Sequence, residues 1–134
     1  MLRQQLASLW SRVKAKAQPS SVAAPSYWNA KYSTDEFIYT KTANRFVIEL
    51  CEGLTPGLAT DLAGGEGRNT VWLAEQGWRV ENVDISEVGL AKCEAFAAER
   101  GVPERVSTLC ASGTDFKSSL APVDLAIVPY LQVP

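Results

Sequence analysis

The residues best able to do chemistry are concentrated in one run, Asp61-Leu62-Ala63-Gly64-Gly65-Glu66-Gly67-Arg68-Asn69. Its glycines let a backbone turn tightly and let a ligand approach atoms that a Cβ would shield. A short apolar segment precedes the run and a helix-like segment follows it. Unpaired N–H groups at that helix start would face whatever the loop holds. Asp84 lies seventeen residues beyond Gly67, at the end of the next strand-like segment. A carboxylate there can accept two hydrogen bonds from a ribose diol.

Two ligand classes suit a strand, glycine loop and helix in this order. A dinucleotide reader has the pattern G-x-G-x-x-G, and Gly65-x-Gly67-x-x-Thr70 lacks its third glycine. The other pattern is acid-x-G-x-G-x-G, which here runs Asp61-x-Ala63-x-Gly65-x-Gly67. Asp61, in line with the loop, suits a positive amino or sulfonium group better than a pyrophosphate. No Gly-Lys-Ser/Thr follows, which excludes a P-loop. The chain has no histidine, so His-based metal sites and Ser-His or Cys-His catalysis are excluded, and no metal is expected. Cys51, Cys93 and Cys110 form no C-x-x-C pair. They are read as small buried hydrophobes in a reducing, cytoplasmic setting.

Positioning these residues requires a regular scaffold, and 134 residues suffice for one domain with a real core. From residue 41 onward, helix-like and strand-like segments alternate. Residues 44–51 read as an amphipathic helix ended by Gly53 and Pro56. Residues 57–62 form the first strand, and a helix over 69–76 closes at Gly77. Residues 78–84 form the second strand. Ser86 then caps a helix with Val88, Ala91, Ala95 and Ala98 on its apolar face. The third strand spans 105–111. The nearly all-apolar fourth spans 123–128 and is expected to be buried on both faces. Trp72, Trp78 and Phe96 are expected in the core. The pattern predicts an α/β protein with a parallel sheet wound by right-handed crossovers.

Charge separates this domain, 27–134, from a basic N-terminal extension over 1–26. The first 34 residues carry five bases and no acid, whereas the remainder carries fifteen acids and eight bases. An acidic body argues against a nucleic-acid partner. In the extension, Leu2, Leu6, Leu9 and Val13 recur at helical spacing ahead of a Pro/Ser/Ala-rich linker over 18–26, and organelle targeting is the alternative to a docking extension. No stretch approaches the roughly 18 apolar residues of a helical membrane span, so no membrane partner is expected.

The motifs together resemble the class I S-adenosylmethionine-dependent methyltransferases. Asp-Leu-Ala-Gly-Gly-Glu-Gly-Arg-Asn (61–69) is similar to their first motif and Val83-Asp84-Ile85-Ser86 to their second, while 123–128 resembles their fourth strand. Upstream, Tyr27-Trp28-Asn29-Ala30-Lys31-Tyr32 and Asn44-Arg45-Phe46 resemble the leader of the small-molecule branch related to tellurite-resistance and thiopurine methyltransferases.

The resemblance implies a Rossmann-like, doubly wound parallel sheet, incomplete here at about four strands in the order 3-2-1-4, and S-adenosylmethionine as cofactor. Asp61 and the backbone at Ala63, Gly65 and Gly67 would cradle its methionine part, Asp84 its ribose, and Ile85 its adenine. Ser112 stands where the family often has an acid for the adenine amino group, with Asp115 three residues later. Ala63 replaces the first glycine, which is tolerable at negative φ. Tyr130, Tyr32, Tyr39 and Arg45 are the candidates facing a small-molecule methyl acceptor.

The sequence stops directly after the fourth strand-like segment, where the resembled family continues. A fragment retaining the cofactor half is therefore expected. Its exposed fourth-strand edge would be open to self-association. The alternative functions are a catalytically silent cofactor-binding or interaction module and, third, a dinucleotide-dependent oxidoreductase.

Overall fold

The computed structural model of the chain describes residues 24–129. Helix α1 (Pro25–Tyr32) starts with proline in its first turn, where a missing N–H costs nothing. It begins inside the stretch read as a linker; the rest of the N-terminal extension lies outside the described residues. Helix α2 (Arg45–Cys51) is capped by Asn44, whose side chain accepts the N–H of Phe46. Then follow β1 (Leu58–Leu62), α3 (Arg68–Glu75), β2 (Arg79–Asp84) and α4 (Glu87–Glu99). A 3₁₀ turn (Pro103–Arg105), β3 (Val106–Cys110) and β4 (Leu125–Ile127) complete the order. Ser86 caps α4 as expected, its hydroxyl accepting the N–H of Gly89 at 3.0 Å.

The four strands are parallel, in the order β3-β2-β1-β4. The register sets Ala59 beside both Val80 and Leu125, and Asp61 beside both Asn82 and Ile127. The apolar members of this face join Val47, Cys51, Val71, Leu73, Ala74, Trp78, Phe96 and Ala97 in one core. Trp72 packs against that core and is only partly buried. The opposite face buries Thr60, Glu81 and Val83. Ser119 lies against it, donating its N–H and hydroxyl to Glu81.

Three expectations are corrected. The buried face of α4 is Leu90, Cys93, Phe96 and Ala97, while Ala91, Ala95 and Ala98 are exposed. Burying a leucine or phenylalanine is worth about 1.5–3 kcal/mol, against under about 1 kcal/mol for a methyl, so the larger side chains set the helix orientation. β4 is not buried on both faces. It is three residues long with Ala126 exposed, because it lies at the sheet edge, paired among the described residues with β1 alone. Cys110 is exposed at the end of β3, while Cys51 and Cys93 are buried as expected. Among the described residues, no helix is long and apolar enough to cross a membrane.

Candidate functional site

β1 and β2 deliver Asp61 and Asp84 to the same end of the sheet, and the 63–67 loop runs between them. Ala63 extends the β1–β2 ladder by donating its N–H to Val83 O at 2.7 Å. Its φ is +57°, so the expectation of a negative φ is wrong. The chain leaves the ladder in a left-handed turn at this residue, a conformation that disfavours a Cβ by about 1–2 kcal/mol. Gly65 and Gly67 follow with φ of +55° and +89°. A Cβ at Gly67 would collide with Cys93 of α4, so glycine there lets α3 begin directly against α4.

Asp84 holds the loop from the side. Its Oδ2 accepts the N–H of Gly65 and its Oδ1 that of Ser86, both at 2.9 Å. Burial raises the Asp84 carboxyl above the usual range, with the Ser86 and Gly65 N–H groups pulling it back.

Asp61 supports the loop from beneath and is fully buried. Its Oδ2 accepts the hydroxyl of Thr70 at 2.7 Å, and its Oδ1 has no hydrogen-bond partner. The same orphaning applies to Asn82 Oδ1, while Asn82 Nδ2 donates to Gly65 O at 3.1 Å. Desolvation pushes Asp61 up to about 7, opposed chiefly by the Thr70 hydrogen bond. Thr70 thus occupies the third-glycine position of a dinucleotide motif as a hydrogen-bond donor to the strand-end acid.

Tyr32 roofs the loop. A Cβ on Gly65 would lie 2.6 Å from its hydroxyl oxygen, and one on Gly89 would lie 3.0 Å from its ring. Tyr32 is buried and stacks on Trp28 with ring centroids 5.7 Å apart. Desolvation, followed by the Asp84 charge, raises its phenol above the ordinary tyrosine value, so it stays protonated. Asn29 fastens the same helix by accepting the Ser86 hydroxyl at 2.7 Å.

The remaining candidates are dispersed. Ile85 is half-buried beside Cys110, whose thiol is 3.7 Å from the Ile85 carbonyl. Ser112 is exposed and bridges Asp115 in an isolated pair. Arg45 is exposed and its Nε is 2.7 Å from Glu49, one turn along α2. Tyr39 is exposed, with its hydroxyl accepting from Lys31 at 3.2 Å. Tyr130 lies outside the described residues.

The sequence reading missed Thr70, Asn82, Glu66, Lys92 and Asn29 as parts of this assembly. Asn82 carried a usable signal: a polar residue between Val80 and Val83 in a strand whose neighbours are buried. Glu66 and Lys92 carried none, since their pairing is set by tertiary structure.

A Rossmann-like parallel sheet with an acid-anchored glycine loop defines a nucleotide-type binding fold. A family model described as a methyltransferase domain matches residues 59–133, more than half of the chain. The chain belongs to that family. Among solved structures, a SAM-dependent methyltransferase from Thiobacillus denitrificans in complex with S-adenosyl-L-homocysteine is similar at 20% identity and TM-score 0.58, covering 71% of this chain and 40% of its own. One from Geobacter sulfurreducens, also in complex with S-adenosyl-L-homocysteine, is similar at 23% identity and TM-score 0.53, covering 66% and 37%. The glycopeptide N-methyltransferase MtfA follows at 22% identity and TM-score 0.53, covering 65% and 42%. These likenesses agree with the α/β fold. The chain spans less than half the length of these structures. No curated protein sequence matches it.

Proposed function

We propose that the chain binds S-adenosylmethionine over the 61–67 loop and serves methyl transfer to a small-molecule acceptor. The observation that carries this reading is the loop itself. Gly65, bare of a Cβ and tied by its N–H to the strand-end acid Asp84, lies above a buried Asp61 whose second oxygen has no donor. When bound, S-adenosylmethionine supplies a methyl group on a sulfonium sulfur, which leaves by in-line displacement. The protein need only orient it and match its charge.

The chain's own residues divide that work. Asp84 would accept the ribose hydroxyls, Ile85 would pack on the adenine, and the Ser112 hydroxyl would meet its rim. Ala63, Gly65 and Gly67 would cradle the methionine part. Asp61 would lend negative potential when ionised, which suits an amino or sulfonium group. Tyr32, kept protonated, would act as a wall and hydrogen-bond donor rather than a base. The exposed Arg45, already paired with Glu49, is a poor proton carrier. The small-molecule acceptor is supported by the acidic composition after residue 34, which disfavours a polyanionic one.

Binding of radiolabelled S-adenosylmethionine tests this. Competition by S-adenosylhomocysteine but not by NADH is expected. Competition by NADH would transfer the site to the dinucleotide class.

One observation favours a second reading, a catalytically silent module. Along β4, Ala126 and the adjoining Val128 are exposed, leaving backbone able to pair with another chain. A mass that rises with concentration would support it, and a strictly monomeric chain would not.

A further inference from the structure

The stretch 33–41, between α1 and α2, has no helix or strand of its own, yet it is held over the glycine loop by one buried ion pair. Lys92, near the middle of α4, places Nζ 2.6 Å from Glu66 Oε2, and the two side chains are only 14% and 3% exposed. The same ammonium donates to the carbonyls of Tyr32 at 3.3 Å and Glu36 at 2.7 Å, and to the Thr34 hydroxyl at 3.4 Å. Glu66 answers from the loop. Its Oε2 accepts the N–H of Ile38 at 3.1 Å and its Oε1 that of Tyr39 at 3.2 Å. The lysine thus takes the strap's carbonyls, the glutamate its N–H groups, and the two charges satisfy each other.

Chemistry at both ends gives the arrangement a consequence. Glu66 stands between Gly65 and Gly67, and Tyr32, at the strap's origin, sits on Gly65. Ligand entry to the Gly65 backbone from above requires Tyr32 to move. Tyr32 is tied to Lys92 through its own carbonyl.

We propose that the Glu66–Lys92 pair is a latch: it positions Tyr32 over the loop and sets how fast a ligand bound there leaves. This rests on the cofactor reading above. An unpaired charge left at 3% exposure is strongly unfavourable, so removal of either partner frees the strap. The other anchors of the strap are weaker. They include Phe37 against Phe96 at 5.2 Å, the exposed Lys31–Tyr39 hydrogen bond at 3.2 Å and the exposed Lys41–Glu99 pair at 2.9 Å.

The test uses the full chain, with Lys92→Met as the main variant, Glu66→Gln as the second and Lys41→Ala as the control. Amide hydrogen exchange reads the latch without any ligand. Ile38 and Tyr39 should exchange about 100-fold faster in the first two variants, while β1 and β2 amides stay protected; the control should stay within about twofold of wild type. Stopped-flow dissociation of S-adenosylhomocysteine reads the consequence. The off-rate should rise at least about tenfold with a smaller change in the on-rate.

Unchanged strap exchange in both variants overturns the latch. Faster exchange with an unchanged off-rate also overturns it, reducing the pair to a structural tie. A wild-type chain that fails to bind S-adenosylhomocysteine overturns the cofactor reading instead, and the exchange data still decide whether the pair holds the strap.

Discussion

The carboxylate of Asp84 accepts the backbone N–H of Gly65 at 2.9 Å, across nineteen residues of sequence. This bond fixes the glycine loop to the end of β2. The strand-end acid and the loop are thereby held as one piece.

Gly65→Ala should weaken ligand binding more than it weakens the fold. An alanine is already tolerated at φ +57° at position 63, so the backbone term at +55° is about 1–2 kcal/mol. The new Cβ would lie 2.6 Å from the Tyr32 hydroxyl and displace that ring. Denaturant unfolding should show a loss of about 2–3 kcal/mol. S-adenosylhomocysteine affinity should fall more than tenfold by calorimetry. A variant with unchanged affinity would contradict the roof assigned to Tyr32.

Ala63→Gly should stabilise the chain. Glycine relieves the left-handed strain at Ala63, and the conformational entropy it adds to the unfolded state offsets only part of that gain, for a net benefit of about 0.5–1 kcal/mol. Urea titrations of the two proteins provide the measurement, and a destabilised variant would contradict the +57° geometry.

Asp61→Asn should change the pH dependence of stability. Burial raises the Asp61 carboxyl from 3.8 to about 7 in the folded chain. A raised acid holds its proton when folded and loses it when unfolded, so its contribution is complete below about pH 4 and is lost as the pH rises toward 7. The slope is roughly 1.4 kcal/mol per pH unit across that window at most. Wild-type stability should therefore fall relative to the asparagine variant between about pH 4 and 7. Parallel curves would show that Asp61 titrates normally.

Leu90→Ala should cost about 2–4 kcal/mol, whereas Ala98→Ser should stay within about 0.5 kcal/mol. Leu90 lies on the buried face of α4 and Ala98 is exposed. Equal effects at the two positions would restore the helix orientation that the alanine spacing suggested.

Much of this architecture could be read from residue order because its signals are local. Ser86 announces a helix start by capping, and the alternation of strands and helices dictates a parallel sheet in which Asp61 and Asp84 share one end. The face of α4 was harder to read. Leu90, Cys93, Phe96 and Ala97 compete with a second apolar stripe of Val88, Ala91, Ala95 and Ala98, and only burial area decides between them. The sign of φ at Ala63 was not legible at all, because alanine carries no mark of a left-handed turn. The pairing of Glu66 with Lys92 has no local signal, because it is the chain between α1 and α2 that brings carbonyls and N–H groups to them. The roof made by Tyr32 is of the same kind. A leader residue reaches the loop only through the docking of α1 on α4.

Calorimetric titration with S-adenosylhomocysteine decides whether the 61–67 loop and Asp84 form the proposed cofactor site. The full chain should bind saturably with one site. Asp84→Ala, which removes both the ribose acceptor and the tie to Gly65, should lose at least about 2 kcal/mol of binding, a factor of about 30. Thermal unfolding should show that the variant remains folded. Binding of equal strength in wild type and variant, or no binding by a folded wild-type chain, would contradict the account.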